Sequence, residues 1–206
     1  MLLIQWKNRM MQLTENIIPE AVEGIITAAG LSSRMGQWKM MLPYRGGTLL
    51  DASINNALGF CQQIILVVGF RADELLQRYG DHPRIRTVVN LDYRSGLFSS
   101  VRCGAAAVQS DYCFISHGDI PCLTPALFSL LWQRRGPYAL MPRYRGIPGH
   151  PVLLPRALLP QTEQAYPQRS MREYLLAKDY RYLDINAPEI ILDVDTPQAY
   201  QLLLGK

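Results

Sequence analysis

Histidine is scarce in the 206-residue sequence, with three copies, and its four cysteines are scattered. Cys61, Cys103, Cys113 and Cys122 form no C-x-x-C pair and have no histidine at ligand spacing, which argues against a structural zinc site. Their irregular spacing gives no disulfide framework either. The thiols read as small core residues of a protein from a reducing, cytoplasmic compartment. No basic run interleaved with aromatics is present. The net charge of +4 suits a small anionic ligand at least as well as nucleic acid, and without a dense Lys/Arg patch nucleic-acid binding is set aside. The opening stretch, MLLIQWKNRMMQLTENIIPE, has neither a sustained apolar run nor a small-residue cleavage site, so neither a signal peptide nor a membrane span is expected. Internal repeats, low-complexity tracts and a domain linker are also missing. One domain over residues 23–206, behind an N-terminal extension of residues 1–22, is the expected organisation.

What the chain does contain is an alternation of strand-like and helix-like segments. Short apolar runs rich in β-branched residues fall at 24–29, 63–69, 84–90, 111–119 and 138–142, and such runs predict buried parallel strands. Helical segments are predicted between them at about 47–59, 71–79, 97–108 and 124–135, the last opening on Thr124-Pro125 as N-cap and first-turn proline. This alternation predicts an α/β fold: a Rossmann-like, doubly wound, mostly parallel sheet with helices on both faces. Beyond residue 143 the rhythm loosens. RYRGIPGHPVLLP is turn-rich, helix-like stretches follow at 156–163 and 170–178, and YRYLDIN reads as a strand. EIILDVDTPQAYQLLLG reads as strand, turn and final helix.

The segment AAGLSSRMGQWKMMLP, residues 28–43, leaves the first strand. It fails the Walker pattern, because five residues separate Gly30 from Gly36 and Lys39 comes two residues too late, and it lacks G-x-G-x-x-G. The physics of a phosphate site survives nevertheless. Ala28, Ala29 and Gly30 are small enough for a nucleotide to lie against the chain, with Leu31 beside them. Arg34 offers a planar fork and Lys39 a point charge for phosphate oxygens; a surface loop with two solvated cations is the plain alternative. HGDIP, residues 117–121, ends an apolar strand with Asp119, where open α/β sheets bind ligands, and a carboxylate there suits Mg²⁺. Capping of the next helix is the simpler role for Asp119. In NLDYRSGLFSSVRCG, Asn90 closes a strand, Gly96 introduces a helix, and Ser99 and Ser100 either contact a base or ribose or merely cap that helix.

The ordered set A-A-G-x-S-x-R-M-G-x-x-K (Ala28–Lys39), N-x-x-x-x-x-G-x-x-x-S (Asn90–Ser100), G-D-x-P (Gly118–Pro121), G-x-P-G-H-P (Gly146–Pro151) and D-x-D-T-P (Asp193–Pro197) resembles the molybdenum cofactor nucleotidyltransferases. The resemblance spans roughly residues 24–203, and Thr27-Ala28-Ala29-Gly30 is similar to the cytidylyl-transferring branch rather than to the L-A-G-G of the guanylyl branch. It implies transfer of CMP from CTP to the terminal phosphate of molybdenum-loaded molybdopterin, with Mg²⁺ as cofactor. Arg34, Lys39 and Asp119 would be catalytic, with the nucleotide on Ala28, Ala29, Gly30, Leu31, Arg34, Lys39, Asn90, Gly96, Ser99 and Ser100. Gly149 and His150 would face the acceptor, His150 donating to phosphate or pterin or else tying its loop to a carbonyl. Asp193 and Asp195, two apart on the expected strand, would point the same way, so Asp195 is a metal ligand or the cap of the last helix. His82 is expected on a surface loop and His117 beneath the Asp119 turn. Transient contact with an apo-molybdoenzyme is a further implication. Guanylyl transfer, another phosphorylated acceptor, and a non-catalytic cofactor-binding or insertion protein stay open as alternatives.

Overall fold

Strand β1 (Val22–Thr27) is buried at all six positions because strands flank it on both sides and helices cover both faces. The computed structural model describes residues 22–160 and 170–205; residues 1–21 of the N-terminal extension and the end of the helix-like stretch 156–163 lie outside them, and Val22, expected to close the extension, opens β1. After β1 come a small hairpin of β2 (Pro43–Tyr44) and β3 (Gly47–Thr48), helix α1 (Leu49–Leu58), β4 (Gln63–Val68), α2 (Ala72–Tyr79) and β5 (Ile85–Val89). The chain continues through α3 (Leu97–Ala105), β6 (Tyr112–His117), α4 (Pro125–Trp132), β7 (Ala139–Tyr144), β8 (Ile147–Pro148), β9 (Val152–Pro155), α5 (Met171–Leu176), β10 (Tyr180–Asp184) and α6 (Pro197–Leu204). Eight strands form one sheet in the order β10-β7-β9-β6-β1-β4-β5, with β8 paired to β7.

Alternation along the strands separates two cores. Ile26, Ile64, Leu66 and Phe114 face α1, α2 and α4, whereas Ile25, Ile65, Val67 and Ile115 face α3 and α5. Each of these side chains contributes roughly 1.5–3 kcal/mol when fully buried. Parallel pairing of β1 with β4 and β6 places Thr27 opposite both Val67 and His117, so the loops leaving β1 and β6 emerge side by side. A third, smaller core of Met35, Leu42, Tyr44, Leu49, Val194 and Leu203 fastens the loop after β1 to the segment preceding α6. All four cysteines are free, and burial pushes the thiols of Cys61 and Cys113 up. Among the described residues no helix is long and apolar enough to cross a membrane.

The predicted strands and first four helices form close to where they were expected. Three departures follow from proline and from long-range contacts. First, the turn-rich stretch after residue 143 contains β9, which enters the sheet antiparallel to both β6 and β7. Pro148, Pro151 and Pro155 mask its apolar Val152–Leu154 core in the sequence. Second, within 156–160 only a single 3₁₀ turn, Arg156–Leu158, forms. Third, the expected strand before Asp193 is a 3₁₀ turn, Pro188–Ile191, followed by irregular chain. Pro188 suits a helical first turn. Ile190 is fully buried, and its carbonyl accepts from His150 N–H at 2.8 Å, while Val194 N–H donates to the Asp119 carbonyl at 2.9 Å. Asp193 and Asp195 therefore do not share the face of a strand.

Helix α1 begins with a reciprocal cap. Asp51 N–H donates to Thr48 Oγ1 at 3.1 Å and the Asp51 carboxylate accepts from Thr48 N–H at 2.9 Å. The same carboxylate accepts from Tyr79 Oη at 2.8 Å and from Arg78, tying α1 to α2. Burial alone would raise the Asp51 pKa, but the bonds from Arg78, Tyr79 and Thr48 outweigh it and hold the group below its ordinary 3.8. Its stabilisation is therefore present above that pH and fades as pH falls through the lower folded value. We expect Asp51→Ala to cost about 1–3 kcal/mol in urea unfolding at neutral pH, with the difference from the parent shrinking in acid.

Candidate active site

At the carboxyl edge of the sheet lies a cavity of about 610 Å³, walled by the loops after β1 and β6, the turn before α3, the β8–β9 connection and the chain entering α6. Ala28 continues the ladder, its N–H bonded to the Val67 carbonyl at 2.8 Å, and is wholly buried. Beyond it the chain lines the cavity at Ala29, Gly30 and Leu31. Ser32 and Gly36 then take left-handed conformations with φ of 56° and 66°, folding the loop back so that Lys39 N–H donates to Ser32 Oγ at 3.2 Å.

This reversal carries Lys39 inward. Its ammonium donates to Asp119 Oδ2 and Asp195 Oδ1, each at 2.5 Å, and Arg34 reaches Asp195 Oδ2 at 2.7 Å. The two cations differ sharply: the Lys39 side chain is 10% exposed and that of Arg34 73%. Burial opposes the charge on Lys39, yet the neighbouring Asp119 and Asp195 outweigh it and raise the pKa. Burial likewise pushes Asp195 up, and the bond and charge of Lys39 together with Arg34 bring it below the ordinary value. Partial desolvation, together with the neighbouring Asp195 and Asp119 carboxylates, raises Asp193. Neither simple capping role holds. Asp119 pairs with Lys39, and α6 is capped by Thr196, whose Oγ1 accepts from Ala199 N–H at 3.2 Å.

Of the other expected nucleotide residues, Gly96 and Ser100 line the cavity, while Asn90 and Ser99 do not. Asn90 Nδ2 donates to Ser99 Oγ at 2.9 Å and to Ser100 Oγ at 3.0 Å, and Asn90 Oδ1 accepts from Asp92 N–H at 3.0 Å. Ser99 Oγ in turn lies 2.9 Å from the Asp92 carbonyl and 2.8 Å from that of Gly96. Asn90 and Ser99 thus build the turn that presents Ser100 and Gly96. Sequence reasoning missed Thr27, Tyr93, Arg94, Leu97, Ile147 and Ile191 as further wall residues. Gly69 makes room for Tyr93, since a Cβ there would fall 2.7 Å from Tyr93 Cβ and 2.8 Å from Ala29 Cβ.

The β8–β9 connection adds residues without formal charge. Gly149 and His150 line the cavity there, and a Cβ on Gly149 would fall 2.4 Å from the Ile190 carbonyl oxygen, so only glycine permits this approach. His150 Nδ1 lies 3.5 Å from the Ile115 carbonyl, and its ring packs edge-on to His117 with centroids 4.2 Å apart. His117 Nδ1 is 2.8 Å from Thr27 Oγ1. Burial, then the charge of Lys39, lowers the His117 pKa to about 4; burial and the neighbouring His117 lower that of His150 to about 3. His117, expected beneath the Asp119 turn, is part of the cavity wall, while His82 is exposed as expected.

Among the described residues no three or more His, Cys, Asp or Glu converge as a metal cage. Asp119 and Asp195 nevertheless direct carboxylate oxygens at one point in the cavity, that of the Lys39 ammonium. Two oxygen donors suit a hard cation such as Mg²⁺, which completes its shell with waters and substrate phosphates.

The MobA-like NTP transferase domain matches residues 24–182. Molybdenum cofactor cytidylyltransferase of Escherichia coli (strain K12) is 49% identical over 180 residues, covering 87% of this chain and 94% of that protein. Nicotine blue oxidoreductase of Paenarthrobacter nicotinovorans is 31% identical, covering 88% and 96%. Among solved structures, Rv0371c from Mycobacterium tuberculosis H37Rv superposes with a TM-score of 0.74 at 25% identity, covering 90% of this chain and 98% of that one. A manganese complex of Rv0371c gives 0.69 at 24% identity, covering 90% and 99%.

Both cavity histidines are neutral at physiological pH. The unfolded chain binds protons below the ordinary value of 6.5 that the folded chain refuses until about 4 or lower, so the contribution of these rings to stability falls as pH drops through that window. Imidazole ¹⁵N spectra at pH 6 should show both His117 and His150 in the neutral form.

Proposed function

The chain belongs to the MobA-like NTP transferase family, and from that premise we propose that it transfers CMP from CTP to the terminal phosphate of molybdenum-loaded molybdopterin. An oxygen of the acceptor phosphate attacks the α-phosphorus of CTP, the bond to the β-phosphate bridging oxygen breaks, and pyrophosphate leaves. The observation that carries this reading is the convergence of Arg34, Lys39, Asp119 and Asp195 on one point of a single cavity, with the Lys39 ammonium between the two carboxylates.

The chemistry asks little of a base, since the nucleophile is already an anion. What it requires is that two anions be held together and that charge be offset on the α-phosphate and the leaving group. Arg34, exposed on the cavity wall, forks onto phosphate oxygens, and Lys39 adds a second cation. Asp119 and Asp195 would hold Mg²⁺, which when bound neutralises phosphate oxygens. Ala29, Gly30, Leu31, Gly96 and Ser100 accommodate the nucleoside, with Ala28, Asn90 and Ser99 shaping the loops beneath them. Gly149 and His150 receive the acceptor, and a neutral His150 suits its heterocycle better than its phosphate. The 49% identity to a cytidylyltransferase supports CTP as the donor. Residues 23–206 act as one domain in the cytoplasm, a setting supported by the four free cysteines, and hand the product directly to an apo-molybdoenzyme.

Pyrophosphate release, measured with molybdenum-loaded molybdopterin and either CTP or GTP, tests the reading. Turnover with CTP in preference to GTP is expected. Asp119→Asn should lower kcat by about 10²–10³-fold, the order seen when a group stabilising transition-state charge is removed. Preference for GTP would overturn the base assignment, and a parent protein without turnover would make it a cofactor carrier.

A further inference from the structure

Both oxygens of Asp195 are engaged by cations. Oδ1 lies 2.5 Å from Lys39 Nζ and Oδ2 lies 2.7 Å from Arg34. Asp119 gives its Oδ2 to the same Lys39 ammonium at 2.5 Å. A divalent ion bound through these two carboxylates must approach their oxygens to about 2.0–2.1 Å. The ammonium already stands between them, and two like charges within a few ångströms of each other in a half-buried, poorly screened cavity exclude one another. One resident cation must therefore leave. Among the described residues Arg34 pairs with Asp195, whereas Lys39 contacts both carboxylates. The Lys39 backbone is pinned by Ser32, so its unbranched side chain is what can swing.

Resting on the nucleotidyl-transfer reading above, we propose that Lys39 is a positioning residue that shares a seat with the metal. Its ammonium and the divalent cation are alternative occupants of the position between Asp119 and Asp195, and entry of the cation turns the ammonium out onto the nucleotide phosphates. Two properties follow. The ammonium keeps two mutually repelling carboxylates facing one point, so the ligand geometry is formed in advance. Metal and nucleotide also become thermodynamically coupled, because phosphate oxygens give the displaced ammonium a new partner; each ligand then tightens the other by the same factor.

The test is Mn²⁺ binding without nucleotide, read from the electron paramagnetic resonance signal of the free ion. Lys39→Met, a neutral side chain of similar length, should bind Mn²⁺ more tightly than the parent by about tenfold, within the roughly 5–150-fold range of coupled sites. Lys39→Arg, which keeps the charge, should stay near the parent. Addition of CTP should tighten Mn²⁺ binding in the parent and do so much less in Lys39→Met. Equal or weaker Mn²⁺ binding by Lys39→Met, with binding still lost in Asp119→Asn, overturns the exchange and leaves the metal assignment standing. Binding indifferent to Asp119→Asn overturns both. A measurement on the parent protein guards against a variant that fails to fold: reductive methylation of Lys39, mapped by peptide mass, should quicken when Mn²⁺ is added. No acceleration overturns the proposal.

Discussion

The ammonium of Lys39 joins three parts of the chain that are 80 and 156 residues apart, and the cavity takes its form from that junction. Burying the charge is unfavourable in itself, and only the two carboxylates make it tolerable. The loop after β1, the turn after β6 and the segment before α6 must all arrive together for that compensation to exist. The small core of Met35, Leu49, Val194 and Leu203 brings two of them into register from below, and the Val194–Asp119 backbone bond brings the third. Packing and electrostatics thus agree on one arrangement.

Around this junction the cavity gathers two kinds of surface. Arg34, Lys39, Asp119, Asp193 and Asp195 bring charge, as does Arg94 on the turn before α3, whereas the imidazoles of His117 and His150, the isoleucines and the close backbone approach at Gly149 do not. The two are coupled, because the charge on Lys39 is one of the causes that keep His117 neutral. They meet within one cavity because β1 and β6 are adjacent and parallel, ending at Thr27 and His117 side by side.

Much of this was legible in the linear chain, for identifiable reasons. The strands β1, β4, β5, β6 and β7 are short runs of aliphatic residues, and buried parallel strands require just that. That Arg34, Lys39 and Asp119 share one cavity was legible because the loop leaving β1 and the end of β6 both fall at the carboxyl edge of a parallel sheet. β9 was not, since three prolines surround it and its place depends on pairing with β6 and β7. Asn90 and Ser99 have the right chemistry for a ligand, yet their hydrogen bonds go to each other and to the turn. No pattern in the chain distinguishes a polar group facing a ligand from one facing its neighbour.

Composition and order of residues by themselves determined the α/β alternation, the free thiols, the small-residue loop with its two cations and the acidic strand end, because each depends on local preference or residue chemistry. Only the tertiary structure decided that Lys39 is buried between Asp119 and Asp195, that Asp195 pairs with cations while Thr196 caps α6, and that His117 belongs to the cavity. Those outcomes depend on distances between segments far apart in the chain, and on the requirement that a buried charge find its partner wherever the fold can bring one.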